Sequence, residues 1–306
     1  MQQPNSISQA LDAAYDSLIG LSVGDAFGEQ FFRLLAYYKS PAEQRIVPPA
    51  PWRWTDDTNM ALSVYAVLQR DRYINPDRLA QDFLDRYDSG RDYGPALNRL
   101  LRETRSGLEL VQSAKNQFGG QGSYGNGAAM RIAPLGAFFA ANLSTVVEQS
   151  RASALTTHTH EEAVAGAIAV AIAAAIATRL RGSPPPPPWD FLRRVLPFIP
   201  ASEVAAKVAR ACEFETEASV YRVAAKLGSG SRISAQDTVP YTLWCASQQL
   251  GNYEEALWLT AKGLGDIDTT CAIVGGIVAC YTGRAGVPVV WRDACEPLPS
   301  WITKSG

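Results

Sequence analysis

A chain of 306 residues, 47% hydrophobic and 19% charged, carries enough apolar material for one large domain spanning 1–306. Its formal net charge of -2 leaves no electrostatic footprint for nucleic acid or an anionic membrane, so an anionic ligand must be held locally by backbone donors or metal. Five scattered cysteines without a CxxC pair argue against a disulfide framework or zinc cluster and fit thiols in a reducing cytoplasm.

The N-terminus, MQQPNSISQALDAAYDSL, has no basic region followed by an apolar one, so no secretory signal is expected. The first helix is predicted over ISQALDAAYDSLIGLSVGDAFG, with Leu11, Ala14, Leu18 and Leu21 as its buried stripe. Asp25 and Glu29 stand four apart at its end and share a face, a repulsive arrangement unless a cation or proton lies between them. The glycines there equally allow close helix packing. WTDDT follows, and a second helix is predicted to begin near Asn59. Thr55 or Asp56 suits its N-cap, and acids at a helix start are favourable without any further role.

Helices are then predicted over PDRLAQDFLDRY, over PALNRLLRETRSGLELV as one piece, over GAAMRIAPLGAFFA and over STVVEQSRASALTT. The loop GGQGSYGNG precedes the third of these, and its glycines can expose N–H groups that cradle phosphate. It lacks the Lys-Ser/Thr of a Walker loop and the preceding strand of a dinucleotide fold. TTHTHEEA holds both histidines, His158 and His160, whose spacing suits a helix cap at least as well as joint metal ligation. AVAGAIAVAIAAAIA at 163–177 is shorter than the ~20 residues of a membrane span and reads as a buried core helix.

GSPPPPPWD at 182–190 cannot continue a helix and reads as a proline-rich loop between two helices. Helices resume over ASEVAAKVARACEF, ASVYRVAAKLG, VPYTLWCASQQL, YEEALWLTAKGLG and TTCAIVGGIVACYTG. No alternating run is long enough for a sheet, so the expected fold is an all-α globule of ten or more helices. GLGDIDTT repeats the theme of TDDT: Asp266, Asp268 and Thr269 precede an apolar helix. Two such clusters bring four carboxylates and several hydroxyls, without Cys or His, which is ligand chemistry for Mg²⁺ or Mn²⁺. A binuclear centre would relieve the repulsion among them.

GLSVGDAFG, WTDDTNMAL, GSYGNGAAMRIAPLG, LTTHTHEEAVAGA, QDTVPYTLWCA and GDIDTTCAIVGGI, in that order, resemble the ADP-ribosylglycohydrolase family, which includes dinitrogenase reductase-activating glycohydrolase and the ADP-ribosyl-acceptor hydrolases. The resemblance covers residue 20 to about 280. It implies a single-domain orthogonal bundle of α-helices with a binuclear metal cleft, and hydrolysis of the glycosidic bond between ADP-ribose and a protein side chain or small molecule. Thr55, Asp56, Asp57, Asp266, Asp268 and Thr269 would hold two Mg²⁺ ions. Gly122, Ser123, Tyr124, Gly125 and Asn126 would bind ribose and diphosphate, His158 would lie near the diphosphate, and Ile233 would pack on adenine. Phe32 stands where many relatives have a glutamate, which leaves Glu29, Asp57 and Asp268 as the catalytic candidates. A non-catalytic ADP-ribose-binding or structural protein on the same fold is the alternative, and a Mg²⁺-dependent phosphohydrolase is a more distant one.

Overall fold

The computed structural model describes residues 6–215 and 218–302, and helices account for all regular structure among them. In chain order these are α1 (Ile7–Leu34), α2 (Asp56–Asp71), α3 (Pro76–Asp85), α4 (Pro95–Glu103), α5 (Gly107–Gly120), α6 (Gly127–Met130), α7 (Ala133–Phe138) and α8 (Leu143–Ala154). There follow α9 (Glu161–Leu180), α10 (Pro188–Val195), α11 (Glu203–Ala211), α12 (Val220–Leu227), α13 (Ala235–Gln248), α14 (Tyr253–Ala261), α15 (Ile267–Thr282) and α16 (Val289–Ala294). The all-α expectation holds, and β pairing is confined to isolated bridges, one joining Gly125 to Ser234.

Among the boundaries that differ from expectation, three have a local cause. The segment at 95–111 is two helices because Ser106 caps α5, accepting from the Glu109 N–H at 3.3 Å, while the Glu109 carboxylate accepts from the Arg105 N–H at 2.7 Å. The segment at 127–140 is also two pieces, since the helix breaks between Met130 and Ala133, with Pro134 in the first turn of α7. The prolines of 184–187 form the expected loop, but Pro188 then opens α10, where a proline at the first helical position loses no needed donor.

The core is centred on α9. Ala163 through Thr178 are all buried, enclosed by α6, α7, α8, α13 and α15. The helix is longer than the 163–177 stretch; by length and composition its 20 residues reach a membrane span, yet 94% of its apolar window is buried inside the protein. Alanine lets neighbours approach closely: a Cβ on Gly136 of α7 would lie 2.1 Å from the Ala171 carbonyl oxygen. The Leu18 and Leu21 side chains of α1 are fully buried, as the stripe predicts.

Candidate active site

Helix α1 meets α15 backbone to backbone. Gly20, Gly24 and Gly28 follow one another at four-residue steps, and Cβ atoms on them would lie 2.4 Å from Gly275 O, 2.2 Å from Cys271 O and 2.4 Å from Ile267 O. This contact seats the last turns of α1 against the start of α15, and α1 runs on past Gly28 to Leu34, carrying both Asp25 and Glu29.

Asp25 is fully buried and reaches across to α2. Its Oδ2 accepts from the N–H groups of Thr55 and Thr58 at 2.9 and 3.0 Å and from Thr58 Oγ1 at 2.6 Å, while Oδ1 accepts from Thr55 Oγ1 at 2.8 Å. Burial pushes its carboxyl up, and these hydrogen bonds pull it back. Thr55 occupies the N-cap position of α2 without making a capping bond of its own. The local capping explanation for Thr55 or Asp56 is therefore replaced by a cap from another helix. The helix also starts three residues before Asn59, so Asp56 and Asp57 both lie in its first turn.

The second cluster comes to the same place. Thr269 Oγ1 donates to Asp57 Oδ2 at 3.3 Å, and Thr55 Oγ1 lies 3.2 Å from that same oxygen. Asn126 Nδ2 donates to Asp266 Oδ2 at 2.7 Å and to Thr238 Oγ1 at 3.1 Å, so it holds an acid as well as bordering the cleft. Burial first, then mutual repulsion, drives Asp56, Asp57 and Asp268 well above the usual carboxylate range: Asp25 and Asp266 act on Asp56, Asp25 and Asp268 on Asp57, and Asp266 and Asp25 on Asp268. Among the described residues no three His, Cys, Asp or Glu side chains are closed into a ready cation cage. Asp25, Asp57 and Asp266 rest on threonine and asparagine donors instead. Two buried oxygens, Asp57 Oδ1 and Asp268 Oδ1, nevertheless have no hydrogen-bond partner among the described residues. Such orphaned acceptors are costly unless something cationic or protonated meets them, and the all-oxygen donor set fits a hard divalent ion.

A cleft of about 410 Å³ adjoins these acids, lined by Asp56, Asp266, Asp268 and Thr269 together with Ser123, Tyr124, Gly125, Asn126, His158 and Ile233. The glycine loop is held by the bridge to Ser234 and by the Ala235 N–H, which donates to the Tyr124 carbonyl at 3.0 Å. Gly122 is not among the cleft-lining residues; it has φ +74° and packs so tightly on Thr159 that a Cβ would fall 1.9 Å from its Oγ1. The loop leads into the single turn of α6 rather than a long helix, so its donors are loop amides more than a helix terminus. His160 caps α9 through Nδ1, which accepts from the Glu162 N–H at 3.1 Å. His158 is buried, and burial, then the neighbouring Arg131 charge, hold its ring down to about 3, so it is neutral.

Phe118 was not anticipated. It lines the cleft, is 59% exposed and has φ +51°, a left-handed conformation that a bulky side chain adopts only under constraint. Ile233 in the same cleft shares both traits, with 57% exposure and φ +52°. Thr58 was likewise missed as an Asp25 partner.

Glu29 is partly buried and is not among the residues lining the main cleft. Burial, then Asp92 and Asp25, raise its carboxyl to about 7. Asp92, whose charge acts on Glu29, itself borders the cleft. Phe32 is 45% exposed.

Fold and site together define an all-α protein built around an acidic, oxygen-lined cleft. The chain belongs to the ADP-ribosylglycohydrolase family, whose model matches residues 6–305, and so to the glycosidic hydrolases. It is 26% identical to ADP-ribosylhydrolase ARH3 of Danio rerio, over 92% of this chain and 85% of that protein. It is 30% identical to an uncharacterized protein of Archaeoglobus fulgidus, over 91% and 90% of the two chains. ADP-ribosylarginine hydrolase Tri1 of Pseudomonas putida is 26% identical over 93% of this chain and 74% of that one. A solved structure described as an ADP-ribosylglycohydrolase-related protein complex shares the fold, with a TM-score of 0.64, 24% identity and coverage of 94% of both chains.

Proposed function

We propose that this protein releases ADP-ribose from an ADP-ribosylated acceptor, a protein side chain or small molecule, by hydrolysing the glycosidic bond at the ribose in a Mg²⁺-dependent reaction. The observation that carries the metal part is the pair of partnerless buried oxygens, Asp57 Oδ1 and Asp268 Oδ1, among carboxylates raised by one another. Thr55, Asp56, Asp57, Asp266, Asp268 and Thr269 would hold two Mg²⁺ ions, with Mn²⁺ as the alternative metal. Bound there, such ions supply Lewis acidity toward ribose hydroxyls and a water of lowered pKa.

The chain's own residues do the rest. Ser123, Tyr124, Gly125 and His158 line the side of the cleft suited to a diphosphate, and Phe118 and Ile233 offer apolar surface to adenine. Gly122 sets the loop against Thr159 rather than touching ligand. Asn126 orients Asp266. Cleavage passes through a transition state with oxocarbenium character, which the negative field of Asp57 and Asp268 stabilises. Glu29, with its carboxyl near neutrality, is suited to accept a proton. Holding the ribose in place contributes alongside this acid–base step.

The test is a panel of arginine-, serine- and small-molecule-linked ADP-ribosyl substrates, with Mg²⁺ and with chelator. Release of free ADP-ribose that chelator abolishes is the expected result. Calorimetric binding of ADP-ribose without release from any substrate would refute the proposal and favour a binding protein, an outcome for which Phe32 in place of a glutamate is the motivation. Release of inorganic phosphate would point to a phosphohydrolase.

A further inference from the structure

Arg131 follows the one-turn helix α6 directly behind the glycine loop, and its side chain is fully buried. Among the described residues its hydrogen bonds go to hydroxyl, carbonyl and thioether groups, and none goes to a carboxylate. Nη2 donates to the Ser153 carbonyl at 2.8 Å and to Thr156 Oγ1 at 3.2 Å, and the guanidinium lies 4.6 Å from the centre of the Phe83 ring. Nη1 donates to Thr157 Oγ1 at 2.9 Å. Burial lowers the guanidinium to about 9, which still leaves it charged at neutral pH.

The direction of the next link follows from where the Thr157 proton can go. A guanidinium has no lone pair, so the Thr157 hydroxyl can only accept from Arg131, and its one proton is left to donate elsewhere. His158 Nδ1 lies 2.8 Å from that hydroxyl. The hydroxyl oxygen keeps a second lone pair that an Nδ1–H could also use, but its own proton has no acceptor other than Nδ1 among the described residues, so satisfying that proton leaves Nδ1 bare and the ring proton on Nε2. The Nε2 edge borders the glycine loop: a Cβ on Gly125 would lie 3.2 Å from Nε2, and one on Gly127 would lie 2.9 Å from it.

We propose that Arg131 and Thr157 are positioning residues that lock His158 in its Nε2–H tautomer, so that the ring presents a fixed neutral donor to an anionic group in the glycine loop. The identity of that group as the ADP-ribose diphosphate rests on the function proposed above; the tautomer does not. A ring free to flip its proton would present a lone pair to phosphate oxygens part of the time, and the interaction would turn repulsive. The buried arginine thus serves the anion at one remove, by directing a proton. The burial and the adjacent cation that keep His158 unprotonated make the choice of tautomer the only degree of freedom left to control.

The chain has only two histidines, so long-range ¹H–¹⁵N spectra of the full protein, labelled in histidine, contain two ring patterns, assigned with a His160→Asn variant. The expected wild-type pattern for His158 is a protonated Nε2 and a bare Nδ1. Thr157→Val should shift it toward a mixture of tautomers and weaken binding of free ADP-ribose by about 10-fold or more, the worth of one hydrogen bond to a charged group. Thr157→Ser, which keeps the hydroxyl, should retain both the wild-type pattern and an affinity within about twofold. An Nδ1–H or doubly protonated His158 in the wild type would overturn the proposal, as would an unchanged Nε2–H pattern in a folded Thr157→Val protein. If the ring patterns behave as expected but wild type does not bind ADP-ribose, the lock stands and the assignment of the ligand fails.

Discussion

Replacing Gly28 by alanine isolates what the α1–α15 contact does for the site. The new methyl would sit 2.4 Å from the Ile267 carbonyl oxygen and 2.6 Å from the Asp268 Cα, where ordinary contact begins at 3.4 Å. Both neighbours are backbone, so no side chain can swing aside, and the start of α15 must retreat by about 1 Å. Overpacking of this kind costs roughly 1–3 kcal/mol. For 306 residues the unfolding entropy is about 0.6 kcal/mol per kelvin, so Tm should fall by about 2–5 °C. A displacement of 1 Å at a reacting centre is worth on the order of 100-fold in rate. Gly20→Ala is the matched control: its methyl would lie 2.4 Å from Gly275 O, a similar clash two turns further from the acids. Calorimetric melting and ADP-ribose release should therefore show similar losses of stability in the two variants, but a large loss of kcat/KM only for Gly28→Ala. Wild-type turnover in Gly28→Ala, or an equal loss of turnover in Gly20→Ala, would refute the claim that this crossing sets the placement of Asp268.

Mg²⁺ at about a hundred times its Kd should stabilise the protein by roughly 2.7 kcal/mol, a Tm gain of about 4 °C at this chain length. Asp57→Asn and Asp268→Asn should each abolish that gain and turnover together, and a full Mg²⁺ shift in both would refute their role as ligands. Glu29 has a folded pKa of about 7 against an ordinary 4.5, so its stabilising contribution is complete below 4.5 and is lost as pH rises through 7. Glu29→Gln, measured without Mg²⁺, should be more stable than wild type by about 1–2 kcal/mol at pH 8, after allowance for solvent screening, and indistinguishable at pH 4. In the activity profile the variant should lose the rise through pH 7 that ionisation of Glu29 gives the wild type; an unchanged profile removes Glu29 from the mechanism. Phe118→Ala and Ile233→Ala should each raise KM for ADP-ribosyl substrates by about 10-fold, the worth of one apolar contact on an aromatic base, with a smaller change in kcat. An unaltered KM in both would place adenine elsewhere.

The helical class and the two acidic starts were legible because their signals are local: an apolar period, and TDDT and GDIDT each set before an apolar run. The break at Thr104–Ser106 was legible too, since Ser106 and Glu109 have the spacing of a capping box, but the apolar period on both sides concealed it. Pro188 similarly marks the start of α10, within a proline tract read as loop throughout. Other features were beyond local reading. Asp25 and Glu29 share a face, yet Asp25 is consumed by four hydrogen bonds to α2 and Glu29 is not among the residues lining the main cleft, a division of labour set by where α2 lies. The left-handed Phe118 carries no signal beyond the glycines that follow it, because it lies in a kink of α5 where Gln117, Phe118 and Gly119 all leave helical geometry. Arg131 stood in the quoted GAAMR motif, but nothing nearby in the sequence indicates that its partners would be Ser153, Thr156 and Thr157.

The cap that Asp25 provides for α2 comes from thirty residues away rather than from the helix's own first turn. A helix capped by its neighbour is weaker alone, so the first turn of α2 gains its full order only after α1 has docked. The placement of Asp56 and Asp57 therefore depends on tertiary contact with α1. A partly folded chain would lack the arranged carboxylates, so under the function proposed above, gathering a divalent ion would report on native assembly as well as on catalysis.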